Sequence, residues 1–186
     1  MNSYQDASQL VLHELTLSLS AVDPQQTEAL LQSILGARKV FVVGVGRVML
    51  MLQAFAKRLN LLGVQTYYVG EINEPAITQD DLLLFGSGSG ESAFPAVISK
   101  VAQKYHPRMG YIGSNVNSTI AAACDFIVRL PCRTKLALPD EITSQQPMSS
   151  LFEQTLLLYL DTVSLMLIRR QNIVLADLWQ KHANLE

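Results

Sequence analysis

Apolar residues recur along this 186-residue chain in two alternating rhythms. Over 3–21 they fall at helical spacing, and Asp23-Pro24 opens a second helical stretch to about Leu35, because proline is favoured at a first helical position. KVFVV at 39–43 is an unbroken β-branched and aromatic run, which reads as a strand. It ends in Gly44-Val-Gly46, after which a helical pattern continues to about Leu62 and stops at Gly63. The alternation repeats, predicting strands over 65–69, 81–85, 109–112 and 126–130, a helix over 92–105 and a short helix near 118–124. Strand runs so little interrupted by polar residues belong to a parallel sheet covered on both faces. The predicted fold class is therefore α/β, a three-layer sandwich with right-handed crossovers. Residues 131–146 carry no period and several breakers, and a connection this long is usually functional or mobile, so it is expected to cover a site. Pro147 then starts a long helix over 148–170, and a short terminal helix follows over 174–182.

Composition narrows the classes. A chain of this length with 49% hydrophobic residues fits one domain over 1–186. Its net charge is −2 and its Lys and Arg are scattered, so nucleic acid is not an expected partner. Mean hydropathy is high at +0.21, yet the longest apolar stretch, 151–168, includes Glu153, Gln154 and Asp161, which argues against a membrane. The surplus apolar surface on 49–62 and 156–168 predicts a homo-oligomer. With two cysteines and no basic-then-apolar leader, the expected location is cytoplasmic. Cys124 and Cys132 lack metal-ligand spacing, His13, His106 and His182 lie outside every motif, and Trp179 reads as a packing anchor.

In open parallel sheets ligands bind beyond the carboxyl ends of the strands, and two of these ends are glycine-rich. The first, GVGRVM at 44–49, begins like a dinucleotide fingerprint but has Met49 where the third glycine belongs. The second, GSGSGES at 86–92, places Gly86, Gly88 and Gly90 among Ser87, Ser89 and Ser92 at a helix N-terminus, a nest for an anion. Glu91 follows the last glycine where a triphosphate site has its lysine, so a single phosphate on a small molecule is the better match. The plain alternative is that these serines cap the helix and close a turn. The third feature is QPMSSLFEQ at 146–154. Glu153, flanked by Leu151 and Phe152 early in a helix, is a candidate general base with Ser149 one turn before it. A carboxylate that merely complements the helix dipole is the alternative there.

Taken together these segments resemble the sugar isomerase (SIS) domain family, and most closely its 6-phospho-3-hexuloisomerase branch. The likeness rests on Val42-Val-Gly-Val-Gly-Arg47, Val69-Gly-Glu71, Pro75-Ala-Ile77, Asp81-Leu-Leu83, Ser87-Gly-Ser-Gly-Glu-Ser92, Gln146-Pro-Met148 and Leu151-Phe-Glu-Gln154, spread over nearly the whole chain. The resemblance implies a SIS-like five-stranded parallel sheet with flavodoxin-like winding and a helical N-terminal extension, in a homotetramer built as a dimer of dimers. It also implies an isomerase that interconverts 3-hexulose 6-phosphate and fructose 6-phosphate with no metal and no cofactor. On that likeness Ser87, Ser89 and Ser92 hold the phosphate with Gly88, Gly46 and Arg47 lie near the sugar, and Glu153 moves the proton through an enediolate. Val48-Met49 stands where the family usually has Ser-Gly, and Ser149 where a glycine is common. A phosphosugar sensor, or an isomerase of another sugar phosphate, is the alternative.

Overall fold

The computed structural model describes residues 3–185. Two helices come first, α1 (Tyr4–Ser20) and α2 (Pro24–Gly36), each opened by a side-chain cap. The Ser3 hydroxyl accepts from the Asp6 amide at 3.1 Å, and the Asp23 carboxylate accepts from the Gln25 amide at 2.7 Å. The alternating part follows as β1 (Val40–Val43), α3 (Gly46–Leu61), β2 (Thr66–Tyr68), β3 (Leu82–Gly86), α4 (Ala93–Ala102), β4 (Arg108–Gly113) and β5 (Phe126–Arg129), and α5 (Ser150–Arg170) closes the core.

The five strands are all parallel in the order β2-β1-β3-β4-β5, the flavodoxin-like winding. Successive residues point to opposite faces. Val40, Val42, Leu82, Leu84, Ile112 and Val128 join α1, α2, α3 and α5 in one buried cluster. Phe41, Val43, Leu83, Phe85 and Tyr111 enter a second, with Ala96, Ile98 and Ala102 of α4. Burial on both faces is the reason the strand runs are continuous rather than alternating. The layers are unequal: four helices cover one face and α4, with short turns, covers the other.

The inner helix is α5, whose Leu151, Phe152, Leu156, Leu160, Val163 and Leu167 are buried. Each such side chain contributes roughly 1.5–3 kcal/mol of burial. By length and composition alone this helix is apolar enough to cross a membrane, but here its buried half packs against α1, α2 and α3.

Four local expectations are corrected. The short helix near 118–124 is a 3-10 turn at Ala121–Ala123, and the terminal helix is a 3-10 segment, Leu175–Lys181. The 92–105 helix ends at Ala102, continues as a 3-10 turn, Gln103–Tyr105, and is closed by His106 in the left-handed region at φ 53°. Trp179 is no packing anchor within the chain, being 75% exposed with its ring 5.5 Å from that of His182. Leu178, one residue earlier, is the side chain that packs on the core.

Candidate active site

The winding itself creates the crevice. The chain leaves β1 toward β2 on one side, and β3 continues toward β4 on the other, so the turns after β1 and β3 diverge at their carboxyl ends. Both glycine-rich segments are there. After β1, Gly46 takes φ +57° at the first position of α3, a conformation costly for other residues, and Arg47 projects with its side chain 63% exposed.

The serine loop after β3 is held by its carbonyls. The Ser87 carbonyl accepts from the Tyr111 hydroxyl at 2.7 Å, and the Gly88 carbonyl from the amides of Ser114 and Asn115 at 3.0 and 3.1 Å. The Ser89 carbonyl accepts from the Asn115 side-chain amide at 3.2 Å, and the Gly90 carbonyl from the Ile120 amide at 3.2 Å. With four successive carbonyls pulled toward β4 and the segment after it, the donors are left for the crevice. Among the described residues the amides of Gly88 and Ser89 donate to no protein group. The loop has no room for side chains at its glycines. A Cβ on Gly90 would meet the Ser118 hydroxyl oxygen at 1.9 Å, and one on Gly88 would meet the Thr134 methyl carbon at 3.1 Å.

The hydroxyls partly close the turn, as the capping alternative requires. The Ser87 hydroxyl accepts from the Gly90 amide at 3.1 Å, and the Ser89 hydroxyl from the Glu91 amide at 3.3 Å. Ser92 stands at the N-cap of α4 yet makes no side-chain cap; its Oγ lies 3.1 Å from that of Ser87, leaving first-turn amides of α4 open to a ligand. Glu91 turns away, accepting from the Thr119 amide and hydroxyl, both at 2.8 Å, and these donors hold its carboxyl below the ordinary value.

Facing the loop is the first turn of α5. A cavity of about 160 Å³ is lined by Ser87, Gly88, Ser89 and Ser92 on one side and by Ser149, Phe152 and Glu153 on the other. The Glu153 side chain is 12% exposed and accepts from Arg47 Nε at 2.5 Å. Every expected site residue thus meets at one crevice: Glu153 and the four serine-loop residues line the cavity, Arg47 reaches it through Glu153, and Gly46 forms the turn that aims Arg47. Larger cavities exist, but one of about 440 Å³ lies at the opposite ends of the strands, around Arg38, Asp81 and Arg108. Another, of about 340 Å³, is an apolar hollow under α4 with little polar chemistry.

Two lining residues were missed in the sequence reading, Thr134 and Lys135. They come from the aperiodic 131–146 segment, which was expected to cover a site without any residue being singled out. Two buried carboxylates order that segment. Glu141 accepts from the Thr134 amide and hydroxyl at 3.0 and 2.7 Å, from the Leu138 amide at 3.1 Å and from the Ser114 hydroxyl at 3.0 Å. Glu14, on α1, accepts from the Ser144 hydroxyl at 2.6 Å, the Gln145 amide at 2.8 Å and the Gln146 side chain at 2.9 Å. The cysteines are free, and burial pushes Cys124 up to about 12 and Cys132 up to about 11, which suits inert thiols rather than nucleophiles.

No family model matches the chain. Among curated proteins it is 35% identical to the 3-hexulose-6-phosphate isomerase of Bacillus subtilis over 95% of both chains. It is 34% identical to the enzyme of that name from Mycobacterium gastri, over 95% of this chain and 88% of that one. The chain belongs to the 3-hexulose-6-phosphate isomerase family. A solved Methanococcus jannaschii structure, from which the same molecular function was inferred, superimposes with a TM-score of 0.84 at 27% identity, over 97% of this chain and 99% of that one. The fold is thus that of the sugar isomerase domains.

Proposed function

We propose that residues 1–186 form one sugar-phosphate-binding domain of a cytoplasmic isomerase that interconverts 3-hexulose 6-phosphate and fructose 6-phosphate. The observation that carries this reading is the joining of a donor-rich serine loop and Glu153 across one cavity. The free amides of Gly88 and Ser89, the hydroxyls of Ser87, Ser89 and Ser92 and the N-terminus of α4 receive the phosphate. The sugar then extends toward Glu153 on the opposite wall. Its carboxylate takes the proton from the carbon beside the carbonyl, the electron pair becomes the double bond of an enediolate, and the carbonyl oxygen gains the charge. The proton returns to the adjacent carbon as the hydroxyl proton passes between the two oxygens. Arg47, already in contact with Glu153, is placed to hold that carboxylate and to donate to the developing oxyanion.

The subunits assemble as a dimer of dimers. Outward apolar side chains on and beside α4 support self-association: Phe94, Val97, Val101 and Tyr105 are 45%, 58%, 45% and 53% exposed. A second reading, an isomerase or sensor of a different sugar phosphate, is favoured by Val48, an apolar side chain on the cavity wall. A coupled assay on the unmodified protein and Glu153→Gln decides between them. Turnover is expected to fall by about two to four orders of magnitude in the variant with binding retained, the usual share of general-base catalysis. Equal rates would remove Glu153 from the mechanism. No turnover in either, with binding of another phosphosugar, would establish the second reading.

A further inference from the structure

A phosphate monoester carries a charge of about −1.5 to −2 at neutral pH. The serine loop offers dipoles against it, and a helix N-terminus supplies the equivalent of only about half a positive charge. The loop itself holds no Lys or Arg. Among the residues lining the cavity one is cationic, Lys135, and it comes from the far segment rather than from the loop. Arg47, the nearby alternative, is engaged with Glu153.

Lys135 is placed rather than incidental. Thr134, immediately before it, is 4% exposed and gives both its amide and its hydroxyl to Glu141. Its methyl carbon approaches Gly88 so closely that a Cβ there would meet it at 3.1 Å. Glu141 is itself fixed to Ser114, whose amide holds the Gly88 carbonyl. The backbone bearing Lys135 and the backbone bearing the free amides are therefore locked to one another through a single buried carboxylate. The ammonium has no ion pair or hydrogen bond among the described residues. Its acidic neighbour, Glu91, has both oxygens occupied by Thr119. A long, flexible point charge with no hydrogen-bonded partner and only a through-space attraction to Glu91, beside a nest of donors, is the means of adding full charge to a phosphate site.

We propose that Lys135 is the countercharge of the bound phosphate, and that Glu141 is the positioning residue that holds it there through Thr134. This rests on the sugar-phosphate reading of the cavity, and inorganic phosphate serves as a probe that does not depend on which sugar is turned over. Lys135→Gln should raise the inhibition or dissociation constant of inorganic phosphate, and the KM of the sugar phosphate, about tenfold, with the larger share of the loss in KM rather than kcat. Lys135→Arg should restore most of it. Glu141→Gln should shift the same constants in the same direction, and in the Lys135→Gln background its effect on phosphate should largely vanish, which a purely structural role would not produce. Unchanged phosphate affinity in Lys135→Gln overturns the countercharge assignment, and full additivity in the double variant overturns the positioning role. An unmodified protein that binds phosphate but does not isomerise 3-hexulose 6-phosphate counts against the functional reading alone, and phosphate titration still judges Lys135.

Discussion

The serine loop at 86–92 and the segment at 131–149 contribute to the same cavity, and they are held by different chemistry. The loop is pinned by its own main chain: its carbonyls are taken up by Tyr111, Ser114, Asn115 and Ile120, and its glycines let neighbours approach within contact distance. The later segment has almost no repeating backbone order and is held by Glu14 and Glu141, two side chains buried to 4% and 7% exposure. One region encodes its shape in its own letters. The other combines its own Glu141 with a carboxylate 130 residues before Ser144 in the chain.

That difference is broken most severely at Gly90. It sits at φ +67°, and a Cβ there would fall 1.9 Å from the Ser118 hydroxyl oxygen. Gly90→Ala combines a left-handed alanine with overpacking and should destabilise the protein by about 2–4 kcal/mol. Urea unfolding measures it; a loss under about 1 kcal/mol would mean that the loop yields easily and is not held by its main chain.

The matching break in the other region is Glu14→Leu. It leaves the Ser144 hydroxyl, the Gln145 amide and the Gln146 side chain without their acceptor, and an unsatisfied buried donor costs about 1–3 kcal/mol. The expected loss is about 2 kcal/mol, because Ser144 and Gln146 are only partly buried and recover some hydration. Faster proteolysis within 131–149, with the sheet protected, should accompany it. Cleavage spread evenly over the chain would count against a local strap.

The same contrast explains what was legible beforehand. The parallel sheet and the serine loop are written in contiguous residues, in runs such as 39–43 and 81–85 and in the glycines that follow them, whereas the winding came with the family resemblance. Glu153 could be singled out at the start of an apolar helix, but its reading as the base rested on the resemblance to the isomerases. Thr134 and Lys135 were not, because nothing in 131–146 is periodic and the partners that fix it, Glu14 and Ser114, are remote in sequence. The terminal turn failed for a related reason. An apolar count cannot say whether Leu178 or Trp179 faces the core when the segment is too short and too tightly wound to carry a helical stripe.

A milder change should separate ligand binding from loop shape. Ser89 is 7% exposed and lines the cavity, and its hydroxyl has one partner among the described residues, the Glu91 amide at 3.3 Å. Since the carbonyls hold the loop, Ser89→Ala should cost less than about 1 kcal/mol of stability. Sugar-phosphate affinity should nevertheless fall about tenfold, as expected for one hydrogen bond to a charged group. Equal losses in thermal midpoint and affinity would show that the hydroxyl shapes the loop rather than reading the ligand.

The smallest expected effect is the pH dependence of the strap. Burial alone would raise the Glu14 carboxyl, but the donors from Ser144, Gln145 and Gln146, with the charge of His13 nearby, outweigh it and leave the group below its ordinary 4.5. A carboxyl more acidic in the folded chain than in the unfolded one adds stability that is fully present above the ordinary carboxylate range. That stability is lost as pH falls through the lowered folded value. Urea midpoints of the protein and of Glu14→Gln, compared from neutral pH downward, isolate this contribution, since Glu28 and Glu91 are also lowered but titrate in both proteins and cancel in the difference. The advantage of the unmodified protein should shrink below about pH 4.5 and hold steady above it. An advantage that stays constant into acid would mean that Glu14 holds Ser144, Gln145 and Gln146 by shape, with its charge contributing nothing.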